Sequence, residues 1–205
     1  VMKKLILILL ISISVFSQNQ KVDKIEITAN NVNGYLVESY ENKTSKEIYD
    51  ALKKWTQYNI KKADYAITSD IENEYLAFNI NGVGEIRYKE SKMWLWKLNL
   101  RVEARIKDNK LRLDAYVNKI AGEGNNDIPI TGGMNSLFKS DGTPKKSTET
   151  YRIGVNRVLN EFVSEVITSI NGNTDYKKEE WWFIKSYFNN SILNETYQEK
   201  IFVIS

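Results

Sequence analysis

The stretch that decides the fold is Tyr75–Ile120, YLAFNINGVGEIRYKESKMWLWKLNLRVEARIKDNKLRLDAYVNKI. Apolar and polar residues alternate through it in three successive segments. In the first, Leu76, Phe78, Ile80, Ile86 and Tyr88 share one parity with Gly82 and Gly84, while Asn79, Asn81, Glu85, Arg87 and Lys89 take the other. The second sets Trp94, Trp96, Leu98, Leu100, Val102, Ala104 and Ile106 against Lys97, Asn99, Arg101, Glu103, Arg105 and Lys107. The third sets Leu111, Leu113, Ala115 and Val117 against Lys110, Arg112, Asp114 and Asn118. Successive side chains of a strand point to opposite faces, so a period of two predicts an antiparallel meander with one apolar and one wet face. Reversals are expected at Lys89–Lys92 and Asp108–Asn109. Gly82 and Gly84 lie on the apolar parity, where a missing side chain lets a helix approach or the sheet bend. They are not a dinucleotide fingerprint, because Arg87 stands where the third glycine belongs.

The apolar face needs a cover, and two helical patterns flank the meander. The first runs from about Ser45 to Ile60 with Ile48, Ala51, Leu52, Trp55 and Tyr58 on one stripe and Lys46, Asp50, Lys53, Lys54 and Gln57 opposite. Thr44 with Glu47 three residues on has the spacing of a capping box. The second runs from about Thr148 to Ile170 through Tyr151, Val155, Val158, Leu159, Phe162, Val166 and Ile170, and Asn171-Gly172 supplies a left-handed stop. Burying such side chains at roughly 1.5 to 3 kcal/mol each makes this helix indispensable to the domain. Upstream, Lys21–Thr28 and Tyr35–Tyr40 predict one or two edge strands around an Asn33-Gly34 turn, and Asp64–Asp70 a short strand before a turn at Glu72–Glu74.

The remaining segments are less regular. Ala121–Lys146 holds five of the ten glycines and both prolines, and a connection this long reads as either a functional loop or a disordered one; Ile128, Ile130, Met134, Leu137 and Phe138 are too apolar for a pure linker and could close over the sheet edge or a ligand. The tail, 173–205, is charged at Lys177–Glu180, then offers a short amphipathic helix with Trp181, Trp182, Ile184 and Phe188 and a terminal strand at Ile201–Ile204. At the other end Lys3 and Lys4 precede an apolar run, Leu5–Phe16, too short for a spanning helix and followed by polar Gln18–Lys24. Residues 1–17 therefore read as a cleaved signal peptide, with Val1 before Met2 as an alternative or misplaced start. Residues 21–172 are expected to form a single α+β domain, exported to the periplasm or beyond, with no cysteine for lipid attachment and no membrane span after cleavage.

With 205 residues and neither cysteine nor histidine, the chain lacks thiolate nucleophiles, imidazole bases, disulfides and the usual zinc ligands. No cofactor or metal site is expected. Asn171, Asn173 and Asp175 imitate a calcium loop, but Tyr176 replaces its glycine and Trp182 its glutamate. The full chain carries a net charge of +3, and loss of Lys3 and Lys4 leaves 27 basic against 26 acidic residues, which gives no basis for nucleic-acid binding.

Two candidate sites follow. The polar meander face, with Arg87, Lys97, Arg101, Arg105 and Arg112, has a local basic excess suited to an acidic protein surface, an anionic glycan or a lipid headgroup of the cell envelope. The alternative is a cavity for an apolar ligand between sheet and helices, lined by Trp55, Phe78, Tyr88, Trp94 and Trp96. A non-catalytic binding module is expected, with a carrier as the alternative and a carboxylate hydrolase third; Glu161 and Glu165, the carboxylates nearest an apolar setting, are expected to face water.

The order strand, helix, four strands, helix, with Thr44-Ser45-Lys46, Ile48-Tyr49 and Trp55 at the first helix, resembles a family of signal-peptide-bearing bacterial proteins. That family is a domain of unknown function with a TATA-box-binding-protein-like (TBP-like) fold. The likeness covers roughly Tyr35 to Ile170, and Gly82 and Gly84 fit its glycine-bearing strand. The glycine-rich loop and the tail have no counterpart in it. The resemblance implies an antiparallel meander sheet with two helices packed on one face, and an exported protein; it transfers no catalytic residue.

Overall fold

The computed structural model describes residues 20–87 and 95–172. The signal-like segment, the Lys89–Lys92 reversal, Tyr88, Trp94 and the tail lie outside the described residues. The chain divides into two compact units, Val1–Gly172 and Asn173–Ser205, of which only the first contains described residues. Among these residues no helix is long and apolar enough to cross a membrane.

The elements in chain order are β1 (Gln20–Lys21), β2 (Ile27–Thr28), β3 (Asn31–Val32), β4 (Gly34–Ser39), helix α1 (Ser45–Asn59), a helical turn α2 (Ala63–Ala66), β5 (Ile67–Ile71), β6 (Tyr75–Arg87), β7 (Leu95–Lys107), β8 (Lys110–Gly122) and helix α3 (Glu149–Ile170), with short 3-10 turns at Glu123–Asn125 and Lys146–Thr148. Six strands form one sheet in the order β1-β4-β8-β7-β6-β5, antiparallel except for the β1–β4 pair. β2 and β3 pair apart from it. The expected α+β meander is present, and the connection from β4 to β5, which contains α1, leads from the β4 end of the sheet to its opposite edge.

The inner face is the one the alternation assigned. Trp96, Leu98, Leu100, Val102, Ala104 and Ile106 of β7, and Leu111, Leu113, Ala115 and Val117 of β8, are all buried. Ile48, Leu52 and Trp55 of α1 and Val155, Val158, Leu159, Phe162 and Val166 of α3 close over them. Trp55 joins the sheet to both helices, its ring centroid 6.0 Å from Phe78 of β6 and 5.8 Å, edge on, from Phe162 of α3.

At β6 the parity expected from the sequence slips twice. Ile80 pairs with Leu100, Val83 with Leu98 and Ile86 with Trp96, so three residues of β6 twice oppose two of β7. Val83 pairs with the inward Leu98, and each bulge holds a glycine in the left-handed region, with φ of 76° at Gly82 and 59° at Gly84. A Cβ on Gly84 would overlap the methyls of Val158, so bend and close helix approach meet at one residue.

α1 begins with the expected capping box: Thr44 Oγ1 accepts from the Glu47 amide at 3.2 Å, and Glu47 Oε2 accepts from the Thr44 amide at 2.8 Å. The carboxyl of Glu47 is held below its usual range, first by that amide hydrogen bond. The stripe differs from expectation at its end, because Tyr58 is exposed whereas Tyr49 and Thr56 are buried. The Tyr49 hydroxyl donates to Asp70 of β5 at 2.6 Å. The expected strand Asp64–Asp70 starts instead with the turn α2, after Lys62 in the left-handed region, and Tyr65 points to solvent.

The Asn33-Gly34 turn is also corrected: the reversal lies at Ala29–Asn30 between β2 and β3, and Gly34 opens β4. Asparagine side chains here act as extra backbone. Asn31 donates to the Val117 carbonyl and accepts from its amide, both at 2.8 Å. On α3, Asn156 accepts from the Ile27 amide at 2.7 Å, and Asn160 accepts from the Ile25 amide at 3.1 Å and donates to its carbonyl at 2.7 Å. The buried Ile25 and Ile27 are thereby fastened along the helix.

The glycine-rich segment is folded onto the domain. Ile128 bridges to Ile120 and Phe138 to Pro144, Ile128, Leu137 and Phe138 are buried, and Met134 alone of its large apolar side chains stands out in solvent. The Thr148 hydroxyl donates to the Ser136 carbonyl at 3.0 Å, tying this segment to the start of α3. The helix ends as expected, with Gly172 left-handed at φ 79°.

Candidate functional site

The strand register assembles the outer face into rows. Arg105 stands between Tyr75 of β6 and Arg112 of β8, Glu103 between Ala77 and Asp114, and Arg101 between Asn79 and Tyr116. Glu103 and Asp114 are therefore like charges directly opposite each other, a destabilising arrangement unless cations intervene. They do intervene. Arg105 donates to Asp114 at 2.7 Å and to Glu103 at 3.4 Å; Arg112 holds Asp114 bidentately at 2.9 and 2.7 Å; Arg101 donates from Nε to Glu103 at 3.0 Å.

The carboxylates lie beneath this layer and the guanidiniums on top of it. The side chain of Asp114 is 1 % exposed and that of Glu103 15 %, against 47 % for Arg101 and Arg105 and 32 % for Arg112. Desolvating Asp114 costs several kcal/mol, and three charge-assisted hydrogen bonds from rigid planar donors offset that cost. Aromatic rings support the layer: the Arg112 guanidinium lies 3.5 Å from the Tyr35 ring centroid and that of Arg105 5.8 Å from Tyr75. The hydrogen bonds to Asp114 hold Arg112 above its ordinary pKa, and burial followed by the Glu103 charge does the same for the Tyr75 phenol.

Of the five cations proposed from sequence, the structure brings Arg101, Arg105 and Arg112 together. Arg87 pairs with Glu85 at 2.6 Å farther along β6, and Lys97 lies half-buried beside the Gly82 bulge. The sequence reading missed Glu103 and Asp114 as organising residues, along with Tyr35, Tyr75 and Tyr116. A signal was present: Arg101, Glu103 and Arg105 at spacings of two share a strand face, as do Arg112 and Asp114.

Trp55, Phe78 and Trp96, proposed as cavity walls, are buried against other side chains. Trp96 stands edge on to Tyr151 at 4.9 Å and donates from Nε1 to the Asn126 carbonyl at 2.7 Å. Tyr88 and Trp94 lie outside the described residues. Two shallow hollows among the described residues involve the glycine-rich segment: one of about 420 Å³ where Ala29–Asn30 meet Thr131–Gly132 and Ser140–Gly142, the other of about 260 Å³ between Gly132 and Lys145. Neither touches Trp55, Phe78 or Trp96.

A second polar cluster joins α1 to β5. The Tyr49 hydroxyl donates to Asp70 at 2.6 Å, and Lys53 donates to Tyr49 at 2.8 Å and to Asp70 at 2.9 Å. Burial, the largest influence on Asp70, works upward, but the hydrogen bonds from Tyr49 and Lys53 outweigh it and hold the carboxyl below its usual range. Burial raises the phenol of Tyr49, so it is not poised as a base. Glu161 is exposed and paired with Arg157 at 3.0 Å, whereas Glu165 is half-buried rather than open to water. Among the described residues no three acidic side chains cluster to hold a metal ion, and Asn173 and Asp175 lie outside them.

No family model matches the chain, and no curated protein matches it in sequence. Solved structures do match. A DUF4468 family protein from Bacteroides ovatus aligns with a TM-score of 0.50 at 12% identity, covering 80% of this chain and 94% of that one. A TBP-like protein from Parabacteroides distasonis aligns with a TM-score of 0.46 at 10% identity, covering 69% and 92%. The chain is thus similar in fold to a bacterial protein of a domain-of-unknown-function family, and at 12% identity the likeness concerns the fold alone.

Proposed function

We propose that the protein is a non-catalytic binding domain, exported from the cytoplasm, whose contact surface is the open face of its sheet around Arg101, Arg105 and Arg112. The observation that carries this reading is the layering of charge on that face, with both carboxylates covered and the guanidiniums outermost. Arginine and tyrosine held in place by ion pairs and stacking lose little freedom on meeting a partner, and such side chains dominate protein contact surfaces. The same geometry disfavours catalysis, because Asp114 is sealed from substrate and Glu103 is engaged by Arg101 and Arg105.

The test is quantitative affinity capture from the cell envelope of the source organism, comparing the mature protein with Arg101→Glu/Arg105→Glu. Loss of the captured partners in a variant that melts like the parent supports the reading. An unchanged set of partners removes the face from consideration.

A further inference from the structure

Resting on the reading that the open face binds, we infer that its ligand is an extended acidic peptide segment of a partner protein, recognised through carboxylates spaced four residues apart. Arg101 and Arg105 are four residues apart on one strand face, so their backbone positions are about 14 Å apart at roughly 3.4 Å per residue. Any extended chain running along β7 repeats that distance at its own fourth residue.

The two ends of this line differ. At one, Arg105 faces Arg112 directly across the strands and both grip Asp114; at the other, Arg101 faces Tyr116 and grips Glu103. Each guanidinium carries five N–H donors, more than these contacts use, and the forks are already oriented by the carboxylates beneath them. Asp114 is therefore a positioning residue: it presents Arg105 and Arg112 as a fixed pair. The segment between the ends, where Ala77 and Asp114 are buried and Glu103 nearly so, offers no charge to a uniformly anionic surface.

The inference is tested by fluorescence anisotropy at moderate salt with two labelled nine-residue peptides of equal composition. One carries Glu at its first, fifth and ninth positions among Thr and Ser; the other carries the three Glu residues in one block. The spaced peptide is expected to bind several-fold more tightly. Arg101→Lys/Arg105→Lys, which keeps the charge but removes the planar forks, is expected to lose roughly tenfold. Asp114→Asn is expected to weaken binding although it makes the face more positive. Equal binding of the two peptides, full binding by the lysine variant, tighter binding by Asp114→Asn, or displacement of the spaced peptide by vesicles containing phosphatidylglycerol each overturns the inference. The lysine variant changes only exposed side chains, so its folded state, checked by melting, keeps the test decisive if Asp114→Asn is unstable. If the peptides do not discriminate while Arg101→Glu/Arg105→Glu still strips the captured partners, only this inference fails; if that variant keeps them, the underlying reading fails with it.

Discussion

On the helix side of β7 every second residue from Trp96 to Ile106 is buried among aliphatic and aromatic neighbours, whereas on the other side Arg101, Glu103 and Arg105 are held by ion pairs to one another and to β8. The inner contacts are non-directional and proportional to buried area, so that face supplies stability and is sensitive to volume. The outer contacts are directional, and their Coulombic gain is largely spent against desolvation, so that face adds little net stability while fixing the orientation of its donors. One strand thus separates the residues that make the protein fold from those proposed to make it bind.

The largest effect that would sharpen this contrast is expected from Phe162→Ala. Phe162 is 4 % exposed and touches Trp55, so its truncation should cost about 3 to 5 kcal/mol in chemical denaturation; a loss under about 1 kcal/mol breaks the assignment of stability to the inner face. Gly84→Ala should cost about 2 to 3 kcal/mol, since the new methyl meets Val158 and the backbone is left-handed. Asp114→Ala should cost about 1 to 2 kcal/mol, because the stranded guanidiniums of Arg105 and Arg112 can turn partly to water.

The Tyr49–Lys53–Asp70 cluster adds a pH dependence. The pKa of Asp70 is lowered in the fold, so its contribution is present above the unfolded value, near about 3.9, and is lost as pH falls through the folded value. Lys53 is raised, first by its hydrogen bond to Tyr49, and its contribution is lost only as pH rises through the folded value, well into the alkaline range. Asp70→Asn should therefore lower the melting temperature at neutral pH and flatten its acid limb, with variant and parent converging at low pH. The smallest expected effect is that of Arg101→Gln, within about 0.5 kcal/mol of the parent by denaturation; combined with lost partner capture, it would separate binding from folding most cleanly.

Much of this was legible along the chain. The alternation in β7 and β8, the Thr44–Glu47 capping box, the α3 stripe and the Gly172 stop depend on neighbours two to four residues away, and each stands as read. The bulges around Val83 were not legible, because two one-residue insertions in the same strand restore its alternation at both ends. Nor were the Asn156 and Asn160 clamps, whose partners lie more than a hundred residues away. The basic face was read as a sum of charges. Its order, with acids underneath and arginines above, needed the β7–β8 register.

The sequence by itself determined the α+β class, the inward face of the sheet and the helices that cover it, because periodicity is a local property that hydrophobic burial then enforces. Only the tertiary structure decided that Asp114, a polar-face residue like its neighbours, is buried beneath Arg105 and Arg112 while Arg101 and Arg105 remain half open. Which charges meet across strands depends on register, and register is set by turns and bulges elsewhere in the sheet.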